Sequence, residues 1–179
     1  SMAQGEGLVH INSPDPQPAT KYPFGFPLLL APLEWFFPGD WVPMKAWVLV
    51  LFAAGMGVLY QLVKERMGVL PALAVVLLNL VAGKSYLTHG PDGIVYAPLL
   101  LHYAHQGMSE APYLTFSLLA LWLIERGVAR VGIRDNWWLI GGFCCTMWAY
   151  YLRTAGITLI AAAVVYLLLR RDFRRGLLF

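Results

Sequence analysis

Residues 137–169 read WWLIGGFCCTMWAYYLRTAGITLIAAAVVYLLL, an apolar run interrupted only by Arg153 and Thr154. As one helix this run would reach about 50 Å at 1.5 Å per residue. The hydrocarbon core of a bilayer is only ~30 Å thick. The run therefore predicts two helices folded back on each other through a tight turn at Arg153-Thr154-Ala155-Gly156, with Gly156 easing the turn. Apolar residues at this density suit a bundle of membrane helices and not a soluble domain.

Working outward, similar stretches place membrane spans at about residues 44–63, 68–85, 107–125, 137–152 and 155–170. Only the first holds the roughly 20 apolar residues that a crossing needs unaided. The others borrow flanking residues and imply tilt, local thinning or shielding within a bundle. The runs are continuous and do not alternate, which favours helices over a barrel. Across all 179 residues the composition is 59% hydrophobic and 13% charged, which excludes disorder. The expected fold is all-α: a polytopic membrane bundle of about five transmembrane helices plus an interfacial helix.

Charge sets the orientation. The basic cluster Arg170, Arg171, Arg174 and Arg175 anchors the last span's end on the cytoplasmic side. Counting back through five crossings puts Lys64, Arg66, Arg126, Arg130 and Arg134 on that side too. Nine of the thirteen Lys and Arg residues then face the cytoplasm. The N-terminus and residues 1–43 lie outside, as do roughly residues 84–110. The stretch FGFPLLLAPLEWFF (residues 24–37) is too short and too broken by Pro27 and Pro32 to span. It reads as an interfacial helix at about residues 24–37, with Trp35 and Trp41 as aromatic anchors. The formal charge of +3 is modest and its cations sit at the ends of apolar runs, so no nucleic-acid partner is implied. The adjacent Cys144 and Cys145 offer neither a disulfide framework nor metal-ligand spacing. Residues 1–8 are polar and glycine-rich, without a basic start or apolar core, and do not read as a signal peptide.

Polar exceptions near the outer side are the candidate site. Arg153 is always charged, and its fork suits a phosphate; its alternative is an arginine reaching lipid headgroups. Glu110 opens a span, where the helix dipole alone would stabilise it; it could instead face a metal or substrate. Lys21 stands where the outer loop meets the interfacial segment and could pair with a lipid phosphate. His102 and His105 share a face if residues 97–106 are helical, and with Glu110 or His89 they could hold a divalent metal. No phosphate-binding glycine loop, nucleophile elbow or zinc-helix motif is present, nor is a transporter-like internal repeat.

The order of these features resembles the N-terminal half of a GT-C-fold glycosyltransferase. This is the polyprenyl-phosphate-sugar-dependent class, which includes protein mannosyltransferases and aminoarabinose transferases. The resemblance rests on Gly5-Glu6-Gly7-Leu8, KYPFGFPLLLAPL (residues 21–33), MSEAPYLTFSLLALWL (residues 108–123), YLRTAGITLI (residues 151–160) and RRDFRRGL (residues 170–177). It implies sugar transfer from a polyprenyl-phosphate carrier to an acceptor on the non-cytoplasmic face of a bacterial inner membrane, near a divalent cation. It makes Lys21 and Arg153 phosphate contacts and Glu110 the second acidic position. The family's first helix and the acidic base that follows it would lie upstream of Ser1. Glu6 and Asp15 do not match that acidic motif. The chain is therefore expected to be competent only within a longer polypeptide. The competing expectation is a non-catalytic membrane scaffold, derived from a truncated GT-C fold and packed against other membrane subunits.

Overall fold

A computed structural model describes residues 23–81, 88–90, 93–95, 108–129 and 136–169. These form six helices and one small hairpin: α1 (Gly25–Phe36), α2 (Trp41–Met67), α3 (Val69–Val81), β1 (Thr88–Gly90), β2 (Gly93–Val95), α4 (Glu110–Ala129), α5 (Asn136–Leu152) and α6 (Gly156–Leu169). The fold is helical, as the continuous apolar runs require. The hairpin between α3 and α4 is the one departure, with Thr88 opposite Val95 and Gly90 opposite Gly93 in antiparallel register.

Local chemistry sets the helix ends. Pro27 falls in the first turn of α1, where a missing N–H costs little, and Pro32 lies inside the helix. The α1–α2 turn passes through Gly39 at φ +76°, and the Asp40 carboxylate caps α2 by accepting from the Val42 N–H at 2.9 Å. Lys64 and Arg66 occupy the last turn of α2, the end where its dipole is negative. Gly68 then reverses the chain at φ +89°, a conformation that only glycine adopts cheaply.

Helix direction alternates. Val76 and Leu80 near the end of α3 pack on the cluster of Val48, Phe52 and Met56 in the first two thirds of α2, so α3 returns along it. Helix α4 runs parallel to α2: Ala111 sits in the cluster of Val48, and Thr115 meets Gly55. Helix α5 reverses again. A Cβ on Gly142 would lie 2.7 Å from Ile124 Cγ1 and 3.3 Å from the Ala120 carbonyl. The turn from α5 to α6 spans residues 153–155, where the sequence places it, and is closed by Gly156 N–H donating to Arg153 O at 2.9 Å. Gly156 serves this turn by lacking a side chain. Its backbone is not left-handed; a Cβ there would stand 2.5 Å from Tyr150 Cα.

Among the described residues one helix, α2, is long and apolar enough to cross a membrane. Its 27 residues extend about 40 Å. Helices α3 and α6 are apolar but only 13 and 14 residues long.

The close α4–α5 approach depends on missing side chains. Gly142→Ala is expected to lose about 1–3 kcal/mol by overpacking. Gly57→Ala, where nothing lies within 4 Å, is expected to gain up to ~1 kcal/mol from helix propensity. Thermal unfolding of both variants in one detergent checks the contrast; equal shifts would remove close packing as the cause.

Candidate functional site at the Glu110–Arg153 end

Two of the sequence-nominated residues meet. Glu110 opens α4, and Arg153 follows the last residue of α5. Because the two helices are antiparallel, these ends adjoin, and Arg153 Nη1 lies 2.6 Å from Glu110 Oε1. The pair is doubly matched to the backbone. The carboxylate sits at the positive end of the α4 dipole and the guanidinium at the negative end of α5. Both side chains are about a third exposed, at 31% and 40%, so the pair is reachable from outside the bundle. Arginine has five donors, and one carboxylate oxygen does not exhaust them.

Helix α1 closes one flank of this end. The Phe24 ring is 4.8 Å from that of Tyr151, and Tyr150 and Tyr151 are 5.7 Å apart. Gly25 is buried against α5 so tightly that a Cβ would lie 2.5 Å from the Tyr151 carbonyl oxygen. The start of the proline-rich segment is thus held beside the turn that carries Arg153. The result is a charged pair with aromatic neighbours at one end of an apolar bundle. Such a patch can contact an anionic group while apolar surface alongside takes a chain.

Lys21, His102 and His105 lie outside the described residues. His89 falls in β1. Among the described residues no group of three or more His, Cys, Asp or Glu is gathered to hold a metal.

Sequence reasoning missed a second charged cluster at the other end of α2 and α4. Arg126 pairs with Glu65 at 2.5 Å, and Arg66 pairs with Glu125. The Arg126 guanidinium also lies over the rings of Trp122 at 4.3 Å and Trp138 at 5.7 Å. A signal existed: both helices carry the dipeptide Glu-Arg near their C-terminal ends, at 65–66 and 125–126. In parallel helices that repeat cross-pairs. Reading Arg66 and Arg126 only as membrane anchors passed over their carboxylate partners.

Against known proteins, no family profile matches the chain, and neither a curated protein nor a solved structure shows significant similarity to it.

The Glu110–Arg153 pair is open to a double-mutant cycle. Glu110→Gln and Arg153→Gln should each destabilise the chain, with a coupling of about 0.5–1 kcal/mol for a partly exposed pair. Exchanging the two charges should not restore stability, because each would then oppose its helix dipole. Denaturation midpoints of the four variants decide this; full recovery on exchange would show that the dipoles contribute nothing.

Proposed function

We propose that this chain is a membrane bundle forming part of a glycosyltransferase that moves a sugar from a polyprenyl-phosphate carrier to an acceptor on the non-cytoplasmic face. The observation that carries the reading is the Arg153–Glu110 pair: two residues 43 positions apart, each nominated for its place in a family-like segment, adjoin at one bundle end. Five helices, α2 to α6, alternate in direction, which supports five crossings, and α2 meets the length of a span by itself. Helices α3 and α6, at about 20 Å, would cross a thinned or shielded region. Helix α1 leaves Trp35 and Phe36 largely exposed, which suits a helix lying in the interface.

In this reading Arg153 contacts the carrier phosphate. Its positive charge stabilises the negative charge that builds on that phosphate as the glycosidic bond breaks. Glu110 holds the guanidinium in place and so positions it. The general base that takes the acceptor's proton belongs to an acidic residue of the first outer loop in the complete protein. Lys21 would add a second cation to the phosphate, and the metal assigned to His102 and His105 enters no step here. A non-catalytic scaffold is the second reading. It is favoured by the mutual neutralisation of Glu110 and Arg153, which satisfies both without a ligand, and by the unpartnered apolar face of α3, where Leu70, Leu77 and Leu78 are exposed.

In the complete protein, Arg153→Ala and Glu110→Ala should abolish transfer with expression unchanged, while wild-type rates in both would take these residues out of the mechanism. Binding of polyprenyl phosphate to the wild type and its loss in Arg153→Ala supports the transferase; a stoichiometric copurifying membrane partner without such binding supports the scaffold. Protease accessibility of tags at both termini tests the orientation, and an accessible tag at residue 179 on the outer side would break it.

A further inference from the structure

The bundle has a concave feature at the end opposite Arg153. Helix α6 packs on α5 and α4 rather than on α2. A half-open groove of about 480 Å³ therefore runs between α2 and α6, with α4 as its floor. Its walls are Leu59 and Leu62 of α2, Leu121 and Ile124 of α4, and Ala162 and Ala163 of α6. The two alanines keep it open, since larger residues there would fill it. Its volume lies within the roughly 300–1,000 Å³ range of small-molecule sites. One end is charged: Arg66 and Glu125 pair across its mouth, and the Arg66 side chain remains 63% exposed.

We propose that this groove holds one acyl chain of an anionic phospholipid, with the lipid phosphate at Arg66. Three observations choose this occupant. The walls are apolar along the groove, and its charged residues, Arg66 and Glu125, stand together at one end. The paired Glu125 engages part of the Arg66 fork and leaves donors for a phosphate. Among the described residues at this end, Lys64, Arg66 and Arg126 outnumber Glu65 and Glu125. That excess attracts an anionic headgroup and gives a neutral one no advantage. The inference rests on the membrane assignment made above but not on sugar transfer.

The test is native mass spectrometry of the full chain released from detergent, with phosphatidylglycerol or phosphatidylcholine added in equal amounts. Wild type should retain phosphatidylglycerol at least about fivefold better. Ala162→Phe and Leu121→Trp enlarge exposed positions on two walls and should both lose the adduct while the melting temperature holds. Arg66→Gln should bring phosphatidylglycerol down to the level of phosphatidylcholine. Glu125→Gln, which removes the competing carboxylate, should strengthen it. Equal retention of the two lipids by the wild type would overturn the proposal, as would undiminished binding in both groove-filling variants. Release of the chain into the supernatant at alkaline pH would instead sink the membrane assignment; a membrane-retained chain without lipid preference sinks only this inference.

Discussion

The antiparallel contact of α4 with α5 is the constraint on which the rest of the structure depends. It is the most extensive helix pairing among the described residues. It exists because Gly142 and Gly127 carry no side chain where Ile124 and Leu139 press against them. In a bilayer, lipid tails compete with apolar side chains on equal terms, so helices associate through close backbone approach and van der Waals fit. Small residues at the crossing supply that fit. Once α5 is seated, its C-terminal end must fall beside the N-terminal end of α4. Arg153 and Glu110 meet for that reason, and α1 has a surface on which to rest Gly25.

Much of this was legible in the sequence and some was not. The turn at Arg153 was legible because a 33-residue run, apolar but for Arg153 and Thr154, exceeds any single crossing. Helix α1 was legible because Pro27 and Pro32 limit its length, and its observed bounds, Gly25–Phe36, lie close to those expected. The pairing of Glu110 with Arg153 was not legible. Each residue had a local explanation, dipole stabilisation for one and headgroup contact for the other, and only the antiparallel register unites them. Gly25 was not legible either, since a glycine beside two prolines reads as loop chemistry, yet its role is contact with the Tyr151 carbonyl. The hairpin of β1 and β2 escaped notice because three-residue strands carry too little periodicity to register.

The two ends of the bundle solve different problems with the same residue types. At the Arg153 end a single pair is matched to helix dipoles and flanked by tyrosines. At the Glu65 end two Glu-Arg pairs interlock, and Arg126 is backed by Trp122 and Trp138. A guanidinium stacked on indoles and held by a carboxylate has little freedom left. The first arrangement keeps donors accessible, whereas in the second Arg126 is committed to fastening α2 to α4 and Arg66 remains exposed.

The seam between α2 and α4 has a property that the α4–α5 seam lacks. The Thr115 hydroxyl donates to the Leu51 carbonyl of α2 at 2.7 Å and has the Ala111 carbonyl of its own helix within 3.0 Å. If the two helices part, the hydroxyl turns to Ala111 and is not stranded in an apolar medium. Separation there forfeits contact but leaves this hydroxyl paired. The groups that parting would strand lie at the end of this seam, where Glu65 pairs with Arg126 and Arg66 with Glu125. Parting of α2 from α4 is thus resisted at the charged end, while the middle of the seam can open without stranding its hydroxyl.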